Sequence, residues 1–142
     1  MYSVDTLGTA ERLQNQIPES TMLSLARMGF GFSLDTFQSE VSGRKLVIAS
    51  DKDTGEPAGY AITSIGQPDE ETMIYYIAVA SGMRNQGLGR QIVSSCVTMA
   101  RETAASALIT HPAGEGADKF FRTCGFVDSP HVARYLELSM LP

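Results

Sequence analysis

Cysteine, histidine and basic residues are all scarce in this sequence, and each shortage closes off a class of function. Two cysteines, Cys96 and Cys124, among 142 residues show neither the close spacing of a zinc site nor the number that a disulfide framework needs. A reducing compartment is the simpler expectation, and no metal-ligand set is expected. Eleven Lys and Arg stand against sixteen Asp and Glu, a formal charge of −5. That balance argues against broad nucleic-acid binding, which demands a basic face for the phosphate backbone, although a local basic pocket stays compatible with it. Long apolar runs are missing as well. Asp5, Glu11, Arg12 and Glu19 are spread through the first twenty residues, which speaks against a secretory signal, and no segment approaches the roughly 20 apolar residues of a membrane span. No membrane contact and a cytoplasmic location are therefore expected. Internal repeats and low-complexity linkers are lacking too, so residues 1–142 are read as one domain.

What is present suits a soluble globular chain, with 43% hydrophobic and 19% charged residues and enough length to bury a core without staples. Residues from about Thr9 to Ile17 have helical character up to Pro18, where a proline interrupts. A second helical region starts near Ser20 or Thr21 and carries Leu23, Leu25, Ala26 and Met28. Leu34, Phe37 and Val41 then repeat at helical spacing from a candidate cap at Ser33. A short strand around Tyr2 to Thr6 is also expected.

The middle of the chain changes period. "KLVIAS" and "AGYAITSI" read as strands joined by the turn residues "DKDTGEP", and "TMIYYIAVA" follows the turn "GQPDEE" as a third strand of a meander. Beyond it, Ile92, Val93, Cys96, Val97 and Ala100 share one helical face. "ALIT" is a short buried strand and "HPAGEG" a loop. Ala117, Phe120, Phe121 and Cys124 form another helical stripe, closed by Gly125 just past the helix end. "HVARYLELS" is read as the last strand. The sum is an α+β sandwich around a mixed sheet.

Between the third strand and the long helix lies "SGMRNQGLGRQ". Glycines at 82, 87 and 89 sit at a helix entrance whose first turn carries Arg90 and no acid. Glycines let backbone N–H groups approach a ligand, and an unneutralised helix N-terminus favours an anion. A P-loop pattern is absent, and "GLGRQI" lacks the third glycine of the dinucleotide fingerprint.

The order of elements, with "IAV" in the third strand and "RNQGLG" after it, resembles the GCN5-related N-acetyltransferases, the GNAT family. Their signature of Arg or Gln, two residues, Gly, one residue, and Gly or Ala is matched by Arg84, Gly87 and Gly89. A second block, "ADKFFRTCGF", resembles the family's Ala-x-x-Phe-Tyr-x-x-x-Gly-Phe segment through Ala117, Phe120, Gly125 and Phe126. The two blocks stand about thirty residues apart with a strand between them, which is more specific than either alone.

The resemblance implies a GNAT-like mixed, mostly antiparallel sheet flanked by helices, with splayed central strands. It implies acetyl-CoA as the acyl donor, its pyrophosphate cradled by the amides of Arg84, Asn85, Gln86, Gly87, Leu88, Gly89 and Arg90, with Phe120 beside them. Backbone groups of Ile77 and Val79 would pair with the pantetheine arm as an added strand would. The acceptor would be a small-molecule amine or a protein amine, and a homodimer is left open.

Two positions depart from the family pattern. The usual tyrosine of the second block is Phe121, which has no proton to give, and the asparagine that often opens it falls at Gly114. The strand glutamate that serves some members as base is Met73 here. Glu71, two residues earlier, and Tyr75, two later, share its face, and Glu71 reads equally as a solvated turn residue beside Asp69 and Glu70. His111, just past "ALIT", is a candidate base or a surface residue. Catalytic candidates are therefore Glu71, His111 and Tyr75. His131 and Cys124 are weaker choices, the latter a core residue with no histidine partner indicated by spacing. The expected activity is direct acetyl transfer from acetyl-CoA to an amine. A non-catalytic acyl-CoA binder or sensor, or a structural domain of the same topology, are the competing readings.

Overall fold

The change of period near residue 45 marks the entry of the chain into its sheet. A computed structural model describes residues 2–7 by backbone, together with residues 18–28, 31–80 and 87–140. Strand β1 (Tyr2–Leu7) precedes two short helices, α1 (Glu19–Arg27) and α2 (Leu34–Val41). The meander follows as β2 (Lys45–Asp51), β3 (Pro57–Thr63) and β4 (Glu71–Val79). Next come α3 (Leu88–Glu102), β5 (Ala107–Thr110), α4 (Glu115–Thr123), β6 (Val127–Asp128) and β7 (Leu136–Ser139). The expected helix over Thr9–Ile17 lies outside the described residues.

The strands form one sheet in the order β1-β2-β3-β4-β5-β7-β6. Every neighbouring pair is antiparallel except β4 with β5. A parallel neighbour needs a crossover, and α3 supplies it. The fold is the mixed, mostly antiparallel α+β sandwich expected from the sequence.

Both faces of the sheet are covered. On one face Val47, Ala49, Ala58, Ala61 and Ile74 pack with Leu88, Ile92, Val93, Cys96 and Ala100 of α3 and with Phe121 of α4. On the other, Leu46, Ile48, Tyr60 and Ile62 pack with Met22, Leu25 and Ala26 of α1 and Phe37 and Val41 of α2. Two-sided burial explains why β2 and β3 read as near-continuous apolar runs rather than alternating ones.

Local chemistry sets the helix ends. The Pro18 carbonyl accepts the first N–H groups of α1, from Thr21 and Met22, at 3.0 and 3.1 Å. The Ser33 hydroxyl accepts from the Thr36 N–H at 3.1 Å and caps α2. Gly125, at φ +98°, stands just past the end of α4, where a left-handed residue is needed.

One boundary differs from the reading of the sequence. The stretch "HVARYLELS" is a strand only from Leu136 onward. Arg134 takes φ +70°, which no strand residue adopts. The Ser129 hydroxyl accepts the N–H groups of His131 and Val132, both at 3.2 Å, and turns the chain there. The short strand β6, ahead of this turn, carries no alternation that would reveal it.

Candidate active site

The site arises where β4 and β5 part. Their parallel pairing runs only from Glu71↔Ala107 to Ile74↔Thr110. At the last rung the Thr110 hydroxyl donates to the Ile74 carbonyl at 3.1 Å, closing the fork. Beyond it, β4 continues to Val79 beside β3, whereas β5 ends and its chain turns away through His111–Gly114.

A bulge lies at the fork. Ile62 pairs with Tyr76 and Thr63 with Ile74, so Tyr75 is the extra residue. Two consequences follow. Tyr75 and Tyr76 both pack on the α1–α2 face, and the alternation is reset so that Ile77 and Val79 pack on the α3–α4 face.

The fork opens into a cleft of about 620 Å³. Its lining comes from both faces of the sheet: Ile77, Val79, Ala117 and Phe121 from the α3–α4 side, Glu40, Arg44, Tyr75 and Tyr76 from the α1–α2 side. The exposed His111 and half-buried Tyr135 stand at its rim, and the buried Thr110 lies at its base. The cleft therefore passes through the sheet, and two reactants can meet in it from opposite sides.

Next to the α3–α4 opening lies the start of α3. Gly87 precedes it at φ +76°, no side chain among the described residues caps the helix, and its first turn holds no acid. The leading N–H groups of a helix have no partner within it, so those of Leu88, Gly89 and Arg90 are left without an intrahelical acceptor at the start of α3. Leu88 is buried and pins the turn to the core. A Cβ on Gly89 would stand 3.1 Å from the Phe120 ring, so only glycine lets α4 close so tightly on this turn. A Cβ on Gly87 would meet nothing within 4 Å among the described residues. Arg84, Asn85 and Gln86 lie outside the described residues.

The candidate acids and bases divide. His111 and Tyr75 both line the cleft. His111 is exposed, and its ring stacks on Tyr135 with centroids 5.0 Å apart at 30°. Glu71 is not brought to the cleft: it sits exposed at the far, closed end of the β4–β5 pairing. Met73 does line the cleft, so the wall there is apolar. Phe121 lines it too and is 2% exposed, its ring edge-on to Phe120 and Phe126.

The thiols are poor nucleophiles. Burial pushes Cys96 up to about 12. It also raises Cys124, more strongly than the nearby Arg90 charge lowers it. Neither lines the cleft.

Sequence reasoning did not reach Glu40 and Arg44. They sit four residues apart across the end of α2, joined by a 3.1 Å ion pair, and the Arg44 guanidinium lies 3.6 Å above the centre of the Tyr75 ring. The charge pair at helical spacing was visible, but nothing local says that it faces a cleft formed with β4. Among the described residues no group of His, Cys, Asp and Glu could hold a metal ion, and no helix is long and apolar enough to cross a membrane.

Comparison with known proteins agrees with this architecture. The family model described as the acetyltransferase (GNAT) family matches residues 20–126. Among solved structures, a Desulfovibrio desulfuricans protein assigned to the GNAT acetyltransferases superposes with a TM-score of 0.75 at 18% identity, over 99% of this chain and 100% of that one. The ribosomal-protein-S18-alanine N-acetyltransferase of Escherichia coli superposes with a TM-score of 0.73 at 18% identity, covering 100% and 97%. A GNAT acetyltransferase from Elizabethkingia anophelis with acetyl-CoA bound gives 0.69 at 16% identity, covering 98% of each. A search of curated proteins found no match.

Proposed function

Since the chain belongs to the GNAT acetyltransferase family, we propose that it is an acetyl-CoA-dependent N-acetyltransferase that passes the acetyl group directly to an amine. The observation that carries this reading is the cleft through the sheet: an anion cradle opens beside one mouth, and polar side chains surround the other. Acetyl-CoA would supply an activated thioester, and the solved Elizabethkingia relative binds that molecule.

The residues fit such a donor. The N–H groups of Leu88, Gly89 and Arg90 would hold the diphosphate, at the positive end of the α3 dipole and without a metal. Phe120 walls that pocket and is kept in place by the missing Cβ of Gly89. Ile77 and Val79 have a strand partner on the β3 side alone among the described residues. Their other edge can pair with the amides of an extended pantetheine arm, which exposed strand edges readily accept. Ala117 and Phe121 give the arm an apolar wall.

The amine enters from the α1–α2 side. An ammonium must lose a proton before its nitrogen can attack the thioester carbon. His111, at the cleft rim and held by its stack on Tyr135, is the group we assign to take it. The new C–N bond forms as the C–S bond breaks; the nitrogen gives up its second proton to water, and the departing thiolate receives a proton from water or from the Tyr75 hydroxyl, which is then reprotonated by solvent. Phe121 cannot protonate the thiolate. Neither Cys96 nor Cys124 lines the cleft, which supports direct transfer over a route through an acyl-cysteine. The setting proposed is cytoplasmic.

Two measurements test this. Acetyl-CoA should raise the melting temperature in a concentration-dependent way, and mass spectrometry over an amine panel should detect acetylated product. The buried Phe121 favours a second reading, an acyl-CoA binder or sensor without turnover. It predicts the rise in melting temperature with no product and no loss of thioester beyond background. A purely structural role predicts neither effect.

A further inference from the structure

The α1–α2 mouth of the cleft carries a built charge arrangement that acetyl transfer as such does not require. Arg44 is fixed from two directions. Its Nη1 donates to the Glu40 carbonyl oxygen at 3.2 Å and to the Glu40 carboxylate at 3.1 Å, and its plane lies 3.6 Å over the Tyr75 ring. Tyr76 adds a hydrogen bond to the same Glu40 carboxylate; burial and this neighbouring carboxylate raise its pKa, so the phenol stays a donor. A long side chain held by an ion pair, a helix carbonyl and an aromatic face has lost most of its rotamer freedom before any ligand arrives.

Nε and Nη2 of Arg44 have no protein partner among the described residues, and the side chain is 30% exposed at the cleft. Two parallel N–H groups on one guanidinium edge match the two oxygens of a carboxylate. The local charges favour a single negative charge over a dianion. Glu40 already balances Arg44, so an incoming carboxylate is compensated only if it brings its own ammonium. The lining of the mouth is therefore complementary to a zwitterion, and a polycation would find one carboxylate that Arg44 already occupies.

We propose that Arg44 is the specificity-determining residue of the acceptor side, binding the carboxylate of an amino acid whose amine is the group acetylated, with Glu40 and Tyr75 as its positioning residues. This rests on the acetyl-transfer reading above.

The experiment compares amino acids with their carboxamides and with the matching aminoalkylphosphonates, using the intact chain. Calorimetric titration of the amino acids into CoA-loaded protein accompanies the kinetics. In the wild type kcat/KM for the acid should exceed that for the carboxamide by at least about tenfold, mainly through KM, because the carboxamide forfeits the charge-assisted bidentate pair with the half-buried guanidinium. R44Q should erase that preference, and R44K should recover part of it, having the charge without the planar fork. Equal use of acid and carboxamide by the wild type would overturn the proposal, as would preference for the phosphonate or retention of the preference in R44Q. Acetyl-CoA raising the melting temperature while no amino acid is bound or acetylated would also sink it, and would leave the donor reading intact. If R44Q fails to fold, the wild-type panel and R44K decide. Failure of acetyl-CoA itself to bind would instead remove the proposed function.

Discussion

The two mouths of the cleft are built by different means. On the α3–α4 side the chain offers main-chain groups: N–H donors at the head of a helix, an edge of β4 beyond Ile74 with no strand partner among the described residues, and Gly89, where a Cβ would crowd Phe120. On the α1–α2 side it offers side chains: Glu40, Arg44, Tyr75 and Tyr76, with His111 and Tyr135 at the rim. A backbone site recognises what is constant in a ligand, such as a diphosphate or an extended amide chain. A side-chain site recognises what varies, so the donor half can persist while the acceptor half diversifies.

The largest expected effect breaks the backbone half. Gly89→Glu would set a carboxylate at the N-terminus of α3, starting from a Cβ that stands 3.1 Å from Phe120. Acetyl-CoA affinity should fall by at least about a thousandfold, since the new charge sits where the anion must bind, while circular dichroism shows a native fold. Unchanged calorimetric affinity would refute the cradle. His111→Ala strikes the other half. Turnover should drop by about a hundredfold, the range of a lost proton acceptor, with acetyl-CoA affinity altered by no more than about twofold. Equal activity of the two proteins would remove His111 from the chemistry.

The same division explains what could be read in advance. The donor side is local in sequence: strand, glycine turn and helix follow one another from Glu71 to Glu102, so a motif with its period change shows both the elements and their chemistry. The acceptor side joins residues 40 and 44 on α2 with 75 and 76 on β4 and with 111 and 135 beyond it. No spacing rule connects them, and what does is the bulge at Tyr75, a register defect that no residue announces. Strand alternation puts Glu71 on the face of Met73 and Tyr75 but does not give its position along the strand relative to the fork. The fold instead places it at the paired end, away from the fork. The strand expected from His131 failed for a related reason, because the positive φ of Arg134 is settled by the turn at Ser129 rather than by its own preference.

A third change sharpens the contrast from beneath α3. A Cβ on Gly59 would stand 2.8 Å from both the Ala78 carbonyl oxygen and Cδ1 of Ile92. The side-chain atom can swing aside, but the carbonyl belongs to the paired β4 backbone and cannot. Gly59→Ala should therefore cost about 2 kcal/mol in denaturant unfolding, the scale of overpacking. By lifting α3 it should weaken acetyl-CoA binding more than it changes acceptor KM. The reverse order would mean that α3 does not carry the donor site.

The smallest expected effect probes the scaffold of the acceptor side. Ser33 caps α2, accepting from the Thr36 N–H at 3.1 Å and donating to the Thr36 hydroxyl at 2.9 Å. The far end of that helix holds Glu40 and Arg44. Ser33→Ala removes the cap at a cost of about 1 kcal/mol, or a fall in melting temperature of roughly 2–4 °C for a domain of this size. Phe37 and Val41, both 1% exposed, still anchor α2 to the sheet, so the helix should fray at its start rather than detach. Acceptor KM should rise by less than about threefold, and acetyl-CoA affinity should not move, because Ile77 and Val79 pack on the opposite face of β4, against α3 and α4. A loss of donor affinity in step with the loss of stability would show that the two mouths are one cooperative unit, and that the division between a backbone half and a side-chain half is geometric only.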